Sequence, residues 1–245
     1  MPPSRPKIRL YVPHDLTADR LIAVDGNPAH YLSNVMRCAP GDEVAAFNGR
    51  DGEWRAVIEA IGKRGCRLRP AECLRPQARG PDLWLLFAPV KRAGTDFLVQ
   101  KATELGVELL QPVLTRRTIA ERVNFERLRA NAIEAAEQSG RLTVPAVREM
   151  APLSDLLDAW PAGRRLLFCD EAGAAPPAAA ALTDAQAGDW AVLVGPEGGF
   201  DADERERLRS EAFVSPVGLG PRILRAETAA LAALTLWQGI LGDCR

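Results

Sequence analysis

The sequence has few of the residues that build metal centres or disulfide frameworks. Its 245 residues include two histidines, His14 and His30, and five cysteines, none of them in a C-x-x-C motif. Zinc sites combine cysteine and histidine ligands at short, recurring spacings, and disulfide scaffolds use many paired cysteines in a short chain. We therefore expect no metal cofactor and no disulfide framework.

The chain also lacks a long apolar run and an excess of charge. No segment approaches the roughly 20 apolar residues that span a bilayer, and residues 1–6 have no apolar core of the signal-peptide type. We expect a soluble protein in the reducing cytoplasm. The 31 basic and 32 acidic residues nearly cancel, which excludes a histone-like binder. The first 80 residues carry 13 basic and 9 acidic side chains, which indicates a basic accessory domain.

Residues 8–73 have the pattern of a small β-rich domain. Asn48-Gly49 and Asp51-Gly52 are turn residues, and a helix with apolar side chains at helical spacing is predicted over residues 28–37. Residues 74–81 hold two prolines, one glycine and few apolar side chains, which is typical of a linker. The predicted strands are residues 8–12, 43–47, 54–61 and 66–71.

Beyond this linker, apolar strands alternate with helices. Continuous apolar strands are typical of a parallel sheet with helices on both faces, so the fold class is α/β with three layers. Asp201 and Glu204 have the spacing of a capping box that starts a helix, and the alanine-rich and proline-rich residues 172–181 are interpreted as a linker. The predicted strands are residues 83–89, 109–114, 166–169, 191–194 and 213–217, and further helices are predicted over residues 95–104 and 124–138.

One of these strands runs directly into a glycine-rich loop. After Val194 the sequence reads G-P-E-G-G-F, and Gly195, Gly198 and Gly199 permit positive φ and a close approach of a ligand to the backbone. Ligands of open α/β sheets bind at the carboxyl ends of strands, where exposed N–H groups hold a carboxylate, a phosphate or an adenine edge. A tight strand-to-helix turn without a ligand is the alternative. The spacing is neither a Walker loop nor G-x-G-x-x-G, which disfavours kinases and dinucleotide enzymes.

A second glycine break follows the last predicted strand. Residues 217–228 contain two glycines and a proline, which force a turn. Arg222 and Arg225 are close in sequence to Glu227, so charge-assisted hydrogen bonds either fix the loop or leave one arginine free to bind a phosphate. The alternative interpretation is structural: an Arg–Glu pair within the chain stabilises the start of the helix, and no ligand binds.

Basic residues follow two other apolar strands. Lys91 and Arg92 come after the first strand of the α/β region, and Arg116 and Arg117 come after the second. Basic side chains that share one edge of a sheet form a patch suited to a nucleic-acid backbone. Solvated surface charge is the alternative interpretation.

The last apolar segment, residues 228–241, contains no charged residue and has apolar side chains on every helical face. Such a helix must be covered on more than one side. Burial within the domain and a dimer interface both meet this requirement, and apolar surface of this extent is typical of obligate contacts.

Several motifs together resemble one known family. The chain resembles, over nearly its whole length, the bacterial small-subunit ribosomal RNA methyltransferases of the E type. These belong to the SPOUT superfamily and methylate N3 of a uridine in 16S rRNA. The motifs are residues 195–199 and 219–228, which are highly specific in combination, and residues 9–12, His30, 35–37, 100–106 and 137–141.

The resemblance implies both a fold and a cofactor. The implied fold is an N-terminal PUA-like β-barrel that binds RNA, residues 1–75, and a SPOUT α/β domain, residues 76–245, with a C-terminal trefoil knot. Knots are rare exceptions to general connection rules, and the residue pattern alone does not predict one. In this family S-adenosylmethionine lies bent among three loops near the contact between the subunits of a homodimer. The implied cofactor-binding residues are Cys169, Val194, Gly195, Pro196, Glu197, Gly198, Gly199, Leu219, Gly220, Ile223, Leu224, Arg225 and Thr228.

Methylation at N3 of uridine defines the catalytic candidates. N3 carries a proton that must leave as the nitrogen attacks the methyl group, so a base or an ordered water has to stand nearby. We expect Arg225 to stabilise negative charge on the uracil, and Glu227 or Glu197 to orient it or to accept the proton. A purely structural role is the alternative for either carboxylate.

The substrate RNA requires contacts of its own. A base that is paired or stacked in folded RNA has to be turned out, so contacts with flanking phosphates carry much of the affinity. The resemblance implies 16S rRNA as the substrate, either as naked RNA or within the 30S subunit. Two other functions stay open: a SPOUT enzyme acting on another RNA atom, such as a ribose 2′-hydroxyl of tRNA, and a non-catalytic RNA-binding assembly protein. The predicted RNA contacts are Arg9, Arg37, Lys91, Arg92 and Arg116.

Overall fold

Two structural units make up the chain. The computed structural model describes residues 5–62, 65–120, 122–172 and 175–244. One unit is Met1–Arg79 with Ala136–Val144, and the other is Gly80–Ala135 with Pro145–Arg245. The sequence-based division at residues 75 and 76 does not include the return of Ala136–Val144 to the first unit. Parts of two predicted features, the N-terminal residues 1–4 and Gly173 and Ala174 of the proposed linker, lie outside the described residues.

The first unit contains a mixed five-stranded sheet. Its strands are β1 (Arg9–Tyr11), β2 (Ile22–Val24), β3 (Glu43–Phe47), β4 (Glu53–Gly62) and β5 (Gly65–Arg75). The order is β1-β3-β4-β5-β2, in which β1 is parallel to β3 and the other pairs are antiparallel. The four predicted strands are confirmed. Sequence analysis missed β2, because a run of three residues gives too short a pattern.

A buried carboxylate organises one part of this unit. Glu53 is fully buried and accepts hydrogen bonds from Arg5 and Arg9, each at 2.7 Å, and from Arg75 Nε at 3.1 Å. Arg9 also donates from Nη1 to the carbonyl oxygen of Ala136 at 2.6 Å, and its guanidinium lies 4.4 Å above the ring of Phe47. The guanidinium of Arg9 is therefore fully engaged inside the first unit.

The helix predicted over residues 28–37 consists of two shorter pieces. Helix α1 (Gly26–His30) continues into a π-helical turn, Tyr31–Val35. Ala29 and Leu32 are buried in the core of the unit. Arg37 then adopts φ of +54°, a left-handed conformation that is uncommon for a residue with a side chain. The segment therefore presents Arg37 to solvent at the end of a tight turn.

The second unit contains the predicted parallel sheet. Its strands are β6 (Leu83–Phe87), β7 (Leu109–Leu114), β8 (Ala146–Val147), β9 (Ala151–Pro152), β10 (Arg165–Cys169), β11 (Trp190–Val194) and β12 (Val214–Val217). The strand order is β12-β10-β11-β6-β7-β8, and β9 also pairs with β7. Every pair is parallel. All five residues of β11 are buried, which explains its continuous apolar sequence.

Six helices accompany this sheet in the described part of the chain. They are α2 (Arg92–Glu104), α3 (Phe125–Ser139), α4 (Leu153–Asp158), α5 (Ala178–Thr183), α6 (Ala202–Ser210) and α7 (Ala226–Ile240). The capping box at Asp201 and Glu204 is confirmed. The linker prediction over residues 172–181 is wrong at its end, because alanines after Pro177 are strong helix formers and start α5.

The last helix, α7, has a buried face and a partly exposed one. Ala230, Ala233, Leu234 and Trp237 are buried in the second unit. Leu231, by contrast, is only partly covered, so packing within the unit leaves part of the apolar surface of α7 accessible. No helix of the described ranges, α7 included, has the length and apolar composition of a membrane span.

Candidate active site

Three loops leave the sheet at one edge. Strands β12, β10 and β11 are neighbours, and Cys169 at the end of β10 is in register with Val217 at the end of β12. The loops after β10 and β12 then pair: the Gly218 N–H donates to the carbonyl of Pro176 at 2.8 Å, and the Ala178 N–H donates to the carbonyl of Gly218 at 3.0 Å. The predicted cofactor residues lie on these strand ends and loops and at the start of α7.

The loop after β11 is shaped by a buried aromatic ring. A Cβ atom on Gly195 would lie 2.5 Å from Cε2 of Phe200. Phe200 is fully buried and packs edge-on against Phe168, with ring centroids 5.0 Å apart. Gly195 is therefore required by packing inside the protein. Gly199 is required for a second reason, because its φ is +69° and a Cβ there would collide with the carboxylate of Glu171.

Two carboxylates after β10 hold this loop and α6 in place. Glu171 Oε1 accepts a hydrogen bond from the Phe200 N–H at 3.0 Å and also pairs with Arg205. The side chain of Asp170 is fully buried and pairs with Arg205 Nε at 3.2 Å and with Arg209 Nη2 at 2.5 Å. Sequence analysis missed both carboxylates, although their position directly after a buried strand was an available signal.

The tip of the same loop is open. The carbonyl of Gly198 accepts a hydrogen bond from Arg117 Nη1 at 2.9 Å, and a Cβ on Gly198 would meet only ordinary contacts, the nearest at 3.6 Å. Glu197 is exposed beside it. The loop tip can therefore accept one added carbon at residue 198 without displacing protein atoms.

The loop after β12 leads into α7. Gly220 has φ of +98°, and no atom lies within 4 Å of where its Cβ would be. Arg225 is the N-cap residue of α7, and its side chain makes no capping hydrogen bond. Within the described residues, neither Arg222 nor Arg225 forms an ion pair with Glu227. Ile223 is fully exposed on this loop. The sequence left open whether these arginines pair with Glu227 or bind a ligand. The structure favours the second alternative.

Glu227 connects this loop to the first turn of another helix. A Cβ on Gly94, in the first turn of α2, would lie 3.7 Å from Oε2 of Glu227. Lys91 and Arg92, at the start of the same helix, are exposed. The structure therefore places a candidate catalytic carboxylate next to the first turn of α2, the helix whose start carries two of the predicted RNA contacts.

The chemistry available at the end of β10 is restricted. Burial raises the pKa of the Cys169 thiol to about 12, so this thiol stays protonated and is not a nucleophile at neutral pH. The described residues contain no cluster of three histidine, cysteine, aspartate or glutamate side chains that could hold a metal ion. The polar groups of the site are backbone amides, arginines and carboxylates.

The five predicted RNA contacts are placed in different environments. Arg9 is engaged by Glu53 and backbone carbonyls, as described above. Arg116 pairs with Asp201 at 2.5 Å and with Asp203 at 2.6 Å, so its charge is used to hold the start of α6. Arg37, Lys91 and Arg92 are exposed and accessible to a polyanion, the last with only a loose partner.

Both units match known protein families. A model of an RNA methyltransferase domain matches residues 78–238, and a model of an RNA methyltransferase PUA domain matches residues 19–71. The fold and the three-loop site therefore define the class of this chain as RNA methyltransferase.

Individual relatives narrow this class. The ribosomal RNA small subunit methyltransferase E of Rickettsia conorii is 34% identical over 228 residues, which covers 92% of this chain and 93% of the relative. The Bacillus subtilis enzyme of the same name is 29% identical over 225 residues and covers 87% and 88%. The chain belongs to the ribosomal RNA small subunit methyltransferase E family.

Solved structures agree with this assignment. The crystal structure of a ribosomal RNA small subunit methyltransferase E from Neisseria gonorrhoeae, bound to S-adenosyl methionine, has a TM-score of 0.86 and 29% identity. It covers 97% of this chain and 99% of that one. A methyltransferase from Legionella pneumophila, also in complex with this cofactor, has a TM-score of 0.86 and 28% identity and covers 98% and 100%. The predicted combination of a PUA-like domain with a SPOUT-type methyltransferase fold is confirmed.

Proposed function

We propose that this protein transfers the methyl group of S-adenosylmethionine to N3 of one uridine in 16S rRNA, giving 3-methyluridine. The observation that carries the proposal is the meeting of three loops at the carboxyl ends of β10, β11 and β12, with Arg225 and Glu227 at their margin. Two comparisons support this proposal: relatives are named as small-subunit rRNA methyltransferases, and similar solved structures contain S-adenosylmethionine.

The residues of the three loops fit this cofactor. The open backbone at Gly198 and Gly220 permits an adenosyl group to approach amide groups closely, and the exposed Ile223 offers apolar surface. When bound, the cofactor supplies an electrophilic methyl group. We propose that it is held by the loop positions 195–199 and 219–224, by the strand ends at Cys169 and Val194, and by Arg225 and Thr228 at the start of α7.

The residues at the start of α7 are proposed to stabilise the negative charge that develops on the uracil and to accept its N3 proton. Removing the N3 proton leaves negative charge on the ring, which an arginine stabilises. Arg225 is exposed and has no partner among the described side chains, so its charge is available for this role. Glu227 or Glu197 accepts the proton, directly or through water, or orients the base.

Two finer features of the fold belong to this proposal. The first unit is proposed to be a PUA-like β-barrel, and the second unit is proposed to be the SPOUT domain with a C-terminal trefoil knot. The position of β12 beside β10, and the pairing of the loops that follow them, support the knot.

The proposal also includes the cellular setting: the enzyme acts in the cytoplasm on 16S rRNA within the 30S subunit.

A homodimer is also part of the proposal. The partly exposed apolar face of α7 supports it, because apolar surface on a helix without charged residues is covered in stable assemblies. A molecular mass of twice 26.6 kDa in light scattering is the expected result.

The function is tested by mapping the methylated atom. Purified protein, S-adenosylmethionine and 30S subunits lacking the modification are incubated, and the nucleosides of the digested 16S rRNA are identified by mass spectrometry. We expect 3-methyluridine at one position, which also blocks primer extension because N3 is on the pairing edge. A 2′-O-methylated nucleoside in the 16S rRNA, or the absence of methyl transfer, contradicts the proposal. Parallel reactions with naked 16S rRNA determine which form is the substrate.

A further inference from the structure

A polar cleft lies at the amino-terminal ends of α2 and α3. Its volume is about 530 Å³, within the range of sites that bind nucleotide-sized ligands. It lies entirely in the second unit, beyond the carboxyl end of β6. The lining residues are Pro89, Val90, Lys91, Arg92, Thr95, Ala120, Arg122, Val123, Asn124 and Arg127.

The charge of this cleft is strongly positive. Four cationic side chains line it, and the single carboxylate that meets them is Asp96, among the described residues. Arg127 Nε donates to Asp96 Oδ1 at 2.9 Å, whereas Arg92 is 3.8 Å from the same carboxylate. Lys91 and Arg122 have no ion-pair partner within the described ranges. Among the described lining residues, Arg127 is therefore the one cation with a close carboxylate partner.

The walls of the cleft are held by local hydrogen bonds. Thr95 Oγ1 bonds to both the N–H and the carbonyl of Val90, each at 3.1 Å, which fixes the turn between β6 and α2. Asn124 Oδ1 accepts from the Arg127 N–H at 2.9 Å and so caps the first turn of α3. The backbone that carries Lys91, Arg92 and Arg127 is therefore ordered before any ligand binds.

We infer that this cleft binds a backbone phosphodiester of the substrate RNA, directly beside the nucleotide that is methylated. Glu227 lies close to Gly94, in the first turn of α2, and the same turn carries the lining residues Arg92 and Thr95, which supports this placement. Arg122 and Arg127, which the sequence did not single out, supply the planar guanidinium groups that pair with phosphate oxygens in a bidentate manner. This inference rests on the proposed function for the identity of the RNA.

Arg122→Gln is the primary test, because Arg122 has no ion-pair partner among the described side chains and its loss leaves the fold intact. A matched control is Arg129→Gln, which removes an equal charge from an exposed position on α3 outside the cleft lining. We expect the affinity of the full-length protein for 16S rRNA to fall about tenfold in Arg122→Gln, and the salt slope to fall by about one. Arg129→Gln keeps wild-type affinity.

Arg127→Gln is expected to lose more affinity than Arg122→Gln. It removes one cation and also removes the closer of the two ion-pair partners of Asp96, so more of the negative charge of Asp96 faces the RNA phosphate. For both variants, KM for RNA rises while kcat at saturating RNA and the Kd for S-adenosylmethionine stay within about threefold of wild type. The inference would be overturned if Arg122→Gln and Arg129→Gln lost the same affinity for 16S rRNA, or if neither variant lost affinity.

Ethylation of single RNA phosphates locates the contact. Ethylation removes one phosphate charge, so we expect the modified phosphate next to the target uridine to weaken binding by wild type and to have little further effect on Arg122→Gln. Interference that is the same for both proteins contradicts the inference. Product mapping with the wild-type protein separately tests the uridine-N3 assignment, so its failure is distinguishable from failure of the phosphate site.

Discussion

Glu171 accepts a hydrogen bond from the backbone N–H of Phe200 at 3.0 Å, and this bond ties the loop after β10 to the loop after β11. The same carboxylate occupies the space that a side chain at residue 199 would need. The shape of the glycine-rich loop therefore depends on Glu171, which lies about thirty positions earlier in the chain. Glu171 also forms an ion pair with Arg205.

Glu171→Ala should weaken S-adenosylmethionine binding without touching the cofactor directly. The substitution removes the acceptor for the Phe200 N–H and the partner of Arg205, so the loop loses its preferred position. We expect Kd to rise roughly tenfold, which corresponds to about 1.4 kcal/mol. Calorimetric titration measures this change. Glu206→Gln, at an exposed position of α6, is the control, and an unchanged Kd in Glu171→Ala would show that the loop is positioned by other contacts.

Gly195 and Gly198 should respond differently to substitution. Gly195→Ala forces a Cβ against the ring of Phe200, so we expect a loss of about 1–3 kcal/mol of unfolding free energy. Gly198→Ala meets only ordinary contacts and should change stability by less than about 0.5 kcal/mol. Urea denaturation measures both.

Gly198→Val extends this comparison to the ligand. The larger side chain at the open loop tip should abolish micromolar S-adenosylmethionine binding while the protein stays folded. Retained binding would place the cofactor away from this loop.

Arg225→Ala separates catalysis from cofactor binding. If the guanidinium stabilises charge on the uracil, kcat falls roughly 10²-fold or more, and Kd for S-adenosylmethionine changes only a few-fold. Single-turnover methyl transfer and calorimetry measure the two quantities. A large loss of cofactor affinity would instead show that Arg225 acts mainly by holding the cofactor and not by stabilising charge on the uracil.

Glu53→Gln should destabilise the first unit in a pH-dependent way. Burial raises the pKa of Glu53, but hydrogen bonds from Arg5, Arg9 and Arg75 outweigh burial and hold this pKa below its ordinary value of 4.5. The ionised carboxylate therefore stabilises the fold at pH values above 4.5, and this contribution is lost as the pH falls through the lower pKa of the folded state. At pH 7 the substitution leaves Arg9 without its buried partner, at a cost of about 3 kcal/mol.

The measurement is the difference in unfolding free energy between wild type and Glu53→Gln as a function of pH. It should be constant above about pH 5 and shrink as the pH falls below 4.5. A difference that is independent of pH would mean that the ionised form of Glu53 makes no special contribution.

Much of the fold was predictable because its signals are local. Continuous apolar runs identified β7 and β11 to within one residue, and the capping box at Asp201 marked the start of α6. Short elements such as β2 and α4 were missed, since three to six residues do not establish a period. The start of α5 was missed because alanines next to prolines were interpreted as a linker.

The candidate site was predictable only in part. The two glycine breaks follow strands, and their position at a sheet edge is a general rule. Arg9 and Arg116 could not be separated from Arg37 in the sequence, because all three are arginines near predicted strands or turns. The structure separates them through their partners: Glu53 holds Arg9, and carboxylates near the start of α6 hold Arg116.

The sequence by itself determined the order of the elements, the glycine loops and the family, because these depend on residue types at short spacing. Only the tertiary structure decided which charges are free. Pairing of a carboxylate with an arginine depends on contacts between residues far apart in the chain, such as Glu53 with Arg9 and Glu171 with Arg205. The cleft around Arg122 exists for the same reason, because packing brings the starts of α2 and α3 together.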